Sequence, residues 1–496
     1  MSESGTPTPR PARPAVEPTW SRSDRIVPRV VLRPLQEFLQ TSTAGAILLF
    51  GAVVVALLWA NSPWKDAYDR LWLTRVSVGV GSWALDEVLR FWIDDGLMAL
   101  FFLLVGLEIK REVVSGELRD RRAAMLPALA AVGGMIVPAL VYVAVAGRTA
   151  PGGWGVPMAT DIAFALGVLT LAAAHAPPSL KSLLLTLAIV DDIGAILVIA
   201  VFYSGGVAWP WLAAAVGMAG LVVVCARIRI RATEVYLLLG VVLWYATYRA
   251  GVNPTIAGVA MGLLTPAHPF QRPATVSEEA HRIADDTVDD PEPPDADATS
   301  WLGLARLSRE AVSPLARVEH ALLPWSSFVI LPLFALANAG VTLTGGAVAE
   351  ALTSVVALGI VLGLVVGKPV GVLIASAVGV RSGVGRLGTG IGWGHIGGLG
   401  VTAGIGFTMA LFVAGLAFED DPARLAYAKV AILAASVIAG AAGYVFLRFL
   451  PVRGVSEPNR RTFPGRRGCR GGWRKHERPS GPNPPPLRRP RSPPMW

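Results

Sequence analysis

Four ionisable residues stand inside long apolar runs of this chain. Asp161 lies in Ala159-Thr160-Asp161-Ile162, an adjacent pair in Val190-Asp191-Asp192-Ile193, and Lys368 in Gly367-Lys368-Pro369. Asp95 and Glu108 bracket a further run. Neighbouring residues of a helix point about 100° apart, because the helix turns once per 3.6 residues. Asp191 and Asp192 therefore cannot share one task. One is placed to pair with Lys368 and the other to face a water-filled cavity. Desolvation favours the neutral form of a carboxylic acid, and a neighbouring ammonium favours its charged form. Carboxyl groups held between these influences exchange a proton for a small cation, and carboxylates are hard oxygen ligands suited to Na+ or Li+. Thr160 and backbone carbonyls would complete the shell. A static Asp–Lys pair locking two helices together accounts for Asp191 taken alone, but not for the whole set.

The apolar runs themselves read as membrane helices. A spanning helix needs roughly 20 mostly apolar residues. Twelve candidates occur, near 42–60, 90–108, 123–146, 157–174, 180–203, 209–226, 234–248, 254–265, 318–338, 350–378, 399–418 and 425–448. The composition agrees. The 496 residues are 53% hydrophobic and 16% charged, where soluble domains carry about 25% charged residues. Two Cys exclude a disulfide scaffold and a Cys-based zinc site. Lys and Arg concentrate after even-numbered runs: Lys110, Arg111, Arg119, Arg121 and Arg122, then Arg227, Arg229 and Arg231, then Arg381 and Arg386, then Arg448 and Arg453. By the positive-inside rule these loops and both termini are cytoplasmic.

The fourth and eleventh runs are interrupted, by Pro157 before Thr160-Asp161 and by Gly397-Gly398-Leu399-Gly400 with Gly404-Ile405-Gly406. Interrupted helices in corresponding positions of two halves point to a transporter site. Ordinary glycine-mediated helix packing explains the Gly clusters equally well, but not Asp161. Two other functions also use membrane acids. An intramembrane aspartyl protease needs two acids on different helices sharing a proton. Here the pair is adjacent on one helix and no Gly-x-Gly-Asp occurs. An aspartate-lined cation channel has no need of a lysine partner.

The net charge of +9 belongs to the ends. Residues 453–496 hold 12 basic and 2 acidic groups, and residues 1–33 hold 6 basic and 3 acidic. Residues 265–317 hold 5 basic and 10 acidic. Five regions follow. Residues 1–33 read as a disordered arm without the apolar core of a secretory signal. Residues 34–264 hold spans one to eight, and 265–317 form a flexible acidic cytoplasmic loop. Residues 318–450 hold spans nine to twelve, and 451–496 form a basic Pro/Gly/Arg-rich tail. Anionic lipid headgroups, rather than nucleic acid, are the tail's expected partner. Between the first two runs, residues 71–85 alternate in part (Val76, Val78, Val80) and read as a small extracytoplasmic hairpin. Such a hairpin is marginal alone and is expected to pair with a second copy.

Several signals fail. Gly363-Leu-Val-Val-Gly-Lys368-Pro369 is one residue short of a phosphate loop and has Pro in place of Ser/Thr. Asn253-Pro254-Thr255 is no glycosylation site, and neither Cys225 nor Cys469 suggests chemistry. His320 follows Glu319 at the cytoplasmic start of the ninth run, where a His–Glu pair titrates near neutrality.

Six longer motifs carry a resemblance. They are Asp95-Gly-Leu-Met-Ala-Leu-Phe-Phe-Leu-Leu-Val-Gly-Leu-Glu108-Ile-Lys-Arg-Glu112, Ala159-Thr-Asp-Ile-Ala-Phe-Ala-Leu-Gly167, Val190-Asp-Asp-Ile-Gly-Ala195, Leu331-Pro-Leu-Phe-Ala-Leu-Ala-Asn-Ala-Gly340, Gly367-Lys-Pro-Val-Gly371 and Gly404-Ile-Gly-Phe-Thr-Met409. From about residue 35 to 450 the chain resembles the NhaA-type sodium/proton antiporter family. The resemblance implies an all-α polytopic membrane protein of twelve helices. An inverted repeat pairs spans three to five with ten to twelve, and the fourth and eleventh spans are unwound where they cross. It implies that Asp192 binds Na+ or Li+ directly, that Asp191 shares the site and pairs with Lys368, and that Thr160 and Asp161 lie at the crossing. Glu108, Arg111, Glu112, Glu319 and His320, with Asp95, would belong to the funnel linked to pH response. It further implies electrogenic exchange for pH and Na+ homeostasis, an inner-membrane location, a homodimer joined through the hairpin, no cofactor and no enzymatic activity. Asn253 stands where some members of the family carry His, and Leu323 where a second His can follow the Glu-His pair, which bears on the pH profile.

Overall fold

The computed structural model describes residues 44–80, 83–172, 177–230, 232–289, 298–342, 349–351, 353–388 and 390–450. The arm 1–33 and the tail 451–496 of the sequence reading lie outside them. Helix occurs within each of the twelve apolar runs. Among the described residues seven helices are long and apolar enough to cross a membrane. Two further pairs pass when joined across a sharp bend, Ala44–Ala60 with Lys65–Trp72 at 117° and Trp393–Ala403 with Phe407–Ala417 at 47°.

The first described elements are α1 (Ala44–Ala60) and α2 (Lys65–Trp72), followed by strands β1 (Arg75–Val80) and β2 (Trp83–Val88). The strands pair antiparallel from Arg75↔Val88 to Val80↔Trp83. The hairpin is thus displaced from the expected 71–85. Leu71 and Trp72 close α2 instead, because Tyr68 and Trp72, four residues apart on one helix face, are both buried. Leu89–Phe91 and a π-helical turn, Trp92–Leu97, lead into α3 (Met98–Val114). Next come α4 (Arg121–Ala146), a 3-10 helix (Pro151–Met158), α5 (Ile162–Ala172), α6 (Pro178–Phe202), α7 (Trp209–Arg227), α8 (Thr233–Arg249) and the ten-residue α9 (Thr255–Leu264).

Residues 290–297 of the acidic segment 265–317, expected as a flexible loop, lie outside the described residues, and its described part contains two helices. These are α10 (Pro273–Asp289) and α11 (Ala298–Glu310), with Ile283 of α10 buried. Main-chain bonds close its base: Phe270 N and Gln271 N donate to Glu310 O, and Leu315 N donates to Pro266 O. The charges misled because they mark solvated helix faces as readily as a loop.

The second half contains α12 (Pro314–Trp325), which runs through a π turn (Ser326–Ile330) into α13 (Leu331–Asn338). Then α14 (Val355–Leu362) continues through a second π turn (Gly363–Gly367) into α15 (Lys368–Arg381), followed by α16 (Trp393–Ala403), α17 (Phe407–Ala417) and α18 (Pro422–Arg448). Helix starts carry local signals. Asp120, Ser313 and Asp421 accept from Arg122 N, Ala316 N and Arg424 N, and Pro314 and Pro422 stand at the first helical position.

The helices from α4 to α6 and from α14 to α18 pack chiefly on one another. Glycines set the closest approach. A side chain on Gly371 would run into the Gly133 carbonyl of α4, and one on Gly133 into Ala375 and the Gly371 carbonyl. A second glycine seam joins α3 to α9, where Gly106, Gly258 and Gly262 meet backbone. Without Cβ atoms the helix axes come near enough for Lys368, one turn before Gly371, to reach between neighbours.

Candidate functional site

Two interrupted helices build the site. The 3-10 helix ends at Met158 and α5 begins at Ile162, so Ala159, Thr160 and Asp161 carry no helix. On the other side α16 ends at Ala403 and α17 begins at Phe407. The two breaks touch. Asp161 N donates to Ile405 O at 2.7 Å, and a Cβ on Gly406 would stand 2.9 Å from Ala159 O. Glycine is needed there because backbone meets backbone.

Each break leaves orphan donors at one helix end and orphan acceptors at the other. Asp161 serves the donors. Its Oδ1 accepts from Phe164 N (3.1 Å) in α5, and its Oδ2 accepts from Thr408 N (3.1 Å) and Thr408 Oγ1 (2.5 Å) in α17. One carboxylate thus caps two helices at their positive ends. The acceptors receive cation and hydroxyl. Lys368 Nζ donates to Met158 O, the last carbonyl of the 3-10 helix, and Thr160 Oγ1 donates to Ala403 O (3.1 Å).

Lys368 also donates to Asp191 Oδ2, and Thr160 Oγ1 approaches the same oxygen at 2.5 Å. Asp191, Lys368 and Thr160 are 0% exposed, and Asp192 and Asp161 are 2% exposed. A buried pair of this kind survives only with its hydrogen bonds satisfied. Two oxygens depart from that rule. Asp191 Oδ1 and Asp192 Oδ1 are buried without a hydrogen-bond partner among the described residues. A buried carboxylate oxygen without a donor can serve a hard cation as a ligand. The described residues contain no group of three or more His, Cys, Asp and Glu arranged to hold a metal ion. The donors on offer are two carboxylates, a hydroxyl and backbone carbonyls.

A second charged group lies at the other end of α3. Arg111 pairs with Glu319 and approaches Glu112 at 3.7 Å. Glu112 Oε2 accepts from Glu117 N. Glu108 interacts electrostatically with Arg111, Glu319 and Glu112, and also with Asp192. His320 is exposed while Glu319 beside it is buried and held by Arg111, not in a His–Glu pair. Asp95 does not join the group. It stands 13 residues before Glu108, about 20 Å along the helix. There its carbonyl accepts from Trp244 Nε1, and the charges near it are Asp94, Glu419 and Glu87. Asn253 has a local role: its Oδ1 accepts from Thr255 N and Thr255 Oγ1 at the start of α9. Leu323 is exposed.

Sequence reasoning brought Asp161, Asp191, Asp192, Thr160 and Lys368 to one place, and the structure joins them there. It missed Thr408, although Gly-Phe-Thr at the start of a helix is where a capping hydroxyl would stand. It missed the Met158 and Ala403 carbonyls, which carry no sequence signal. It also missed Asp94, whose Oδ1 accepts from Asn338 Nδ2 at 2.5 Å.

A multi-pass helical membrane protein with buried carboxylates and a lysine where two interrupted helices meet is built as a secondary ion transporter. The sequence profile of the family described as Na+/H+ antiporter 1 matches residues 36–447, and the chain belongs to that family. Na(+)/H(+) antiporter NhaA 2 of Sorangium cellulosum is 47% identical over 428 residues, covering 85% of this chain and 90% of its own. Na(+)/H(+) antiporter NhaA of Oleidesulfovibrio alaskensis is 45% identical over 427 residues, covering 85% and 94%. Na(+)/H(+) antiporter NhaA 2 of Myxococcus xanthus is 43% identical over 472 residues, covering 92% and 99%.

Proposed function

We propose that this protein exports Na+ or Li+ in exchange for external H+, and that both ions compete for the carboxylates of Asp192 and Asp191. The observation that carries this reading is the pair of buried, unpartnered Oδ1 atoms on adjacent residues. A cation bound there replaces the missing donors. A proton bound there neutralises the group and displaces the cation. Thr160 and Lys368 fix Asp191 through its other oxygen, so the exchangeable positions stay on the Oδ1 side. Glu108 would pass ions between the Arg111–Glu319 group and Asp192.

On this reading the chain has twelve spans, with spans three to five repeated in inverted form by ten to twelve. Exchange is alternating-access, electrogenic and pH-regulated, and serves pH and Na+ homeostasis. The protein sits in the bacterial inner membrane with both termini cytoplasmic, and two copies join through the hairpin. The paired breaks at 159–161 and 404–406 support the repeat. The Lys/Arg loop bias supports the orientation. Val78, a strand residue 56% exposed, supports a partner for the hairpin.

The test is Na+-induced dissipation of an imposed pH gradient in everted vesicles, with Li+ and K+ in parallel. Wild-type-like exchange by Asp192→Asn would overturn the assignment. Cation flux without proton movement would favour a channel.

A further inference from the structure

The Met158 carbonyl holds Lys368, so whatever fixes the height of the 3-10 helix fixes that contact. The helix is eight residues long, about 16 Å at its rise of ~2 Å per residue. Its far end is clamped by two tyrosines from two different helices. Tyr203, directly after α6, donates its hydroxyl to Gly152 O at 2.6 Å and accepts from Gly155 N at 3.2 Å. Tyr142 of α4, fully buried, donates to Ala150 O at 3.0 Å. The glycines make room for the rings. A Cβ on Gly155 would stand 2.7 Å from the Tyr203 hydroxyl, and one on Gly153 would overlap the Tyr142 hydroxyl. Trp154 meets Phe202 edge to face at 5.0 Å, adding an apolar anchor beside Tyr203. Three main-chain groups between Ala150 and Gly155 are thus held by phenols, while the last carbonyl meets the lysine.

We infer that Tyr203 and Tyr142 are positioning residues for ion exchange: they set the reach of the Met158 carbonyl and thereby divide the Lys368 ammonium between Met158 and Asp191. Neither touches the ion. The inference rests on the exchange reading above. With the clamp loosened, the carbonyl withdraws and the ammonium leans wholly on Asp191, where it competes with the cation. The phenyl rings alone keep the packing, so Tyr→Phe isolates the hydroxyls.

The test compares Tyr203→Phe, Tyr142→Phe and the double variant with wild type, as full-length protein in everted vesicles at equal amount. The expected result is an apparent KM for Na+ raised at least about threefold with Vmax within about twofold. A merely structural role would lower Vmax or protein amount and leave KM alone, and that outcome overturns the inference. Hydrogen exchange of the backbone at 150–158 in Tyr203→Phe gives a second readout that does not need transport. Faster exchange there, with α6 unchanged, is expected. Unchanged protection overturns the inference. If the wild type itself shows no Na+-dependent proton movement, the exchange reading fails, and the hydrogen-exchange arm still decides whether the phenols hold the helix.

Discussion

The Lys368 ammonium donates to Oδ2 of Asp191, while Oδ1 of Asp192, one residue on, is buried without a hydrogen-bond partner among the described residues. Two adjacent acids therefore do different work. Asp191 is tied to the scaffold through Oδ2, and on the proposed reading Asp192 carries the exchanging ion with Oδ1 of Asp191 beside it.

That difference separates two substitutions. Asp191→Asn leaves the lysine buried without its counter-charge and is expected to destabilise the protein by about 3–5 kcal/mol. Asp192→Asn breaks no bond seen in the structure, and its stability should stay within about 1 kcal/mol of wild type while exchange is lost. Thermal unfolding in detergent alongside the vesicle assay checks both. Equal destabilisation by the two would contradict the division of roles.

Asp161 caps two helices with one side chain. An N-cap contributes about 0.5–2 kcal/mol, so Asp161→Ala should cost about 1–4 kcal/mol. Asp161→Asn keeps one acceptor oxygen and is expected to lose roughly half as much. The two variants are compared by midpoint of thermal unfolding. A harmless Asp161→Ala would remove the capping role.

The glycine seam makes a prediction with its own control. Gly371→Ala drives a methyl into the Gly133 carbonyl and should destabilise by about 1–3 kcal/mol while lowering exchange. Gly51, also inside a helix, has no neighbouring atom within 4 Å of where its methyl would stand. Gly51→Ala should be neutral or slightly stabilising by up to about 1 kcal/mol. Similar effects at both sites would mean that helix propensity, not close approach, governs them.

The Arg111–Glu319 contact is close but wet, since the Arg111 side chain is 42% exposed. A double-mutant cycle with Arg111→Ala and Glu319→Ala is expected to give a stability coupling of no more than about 1 kcal/mol. The same variants should alter the pH dependence of exchange more than its maximum rate. A coupling of several kcal/mol would show that the pair is desolvated and structural.

Removing the hairpin, residues 75–88, is expected to weaken dimers while leaving monomeric exchange measurable. Light scattering in detergent at two protein concentrations reads the first, and the vesicle assay the second. Dimers of unchanged stability would place the contact elsewhere.

The sequence by itself determined the membrane character, the twelve apolar runs and the residues of the candidate site. Each of these is local: an acid inside an apolar run, a proline or glycine in a helix, a strip of Lys and Arg beside it. Hydrophobicity and backbone breaks are written at single positions and need no partner to be recognised. The tertiary structure decided which oxygen faces what. Adjacent aspartates look alike in sequence. Asp191 meets the lysine where Gly133 and Gly371 let α4 and α15 approach, and the Met158 carbonyl meets the same ammonium. Thr408 lies 247 positions from Asp161, and no local pattern joins them. The acidic segment shows the converse. Its composition suggested a loop, yet its described residues on either side of 290–297 form helices, with Ile283 buried and main-chain bonds at Glu310 and Pro266. Charge reports what water touches, and only packing decides what the backbone beneath it does.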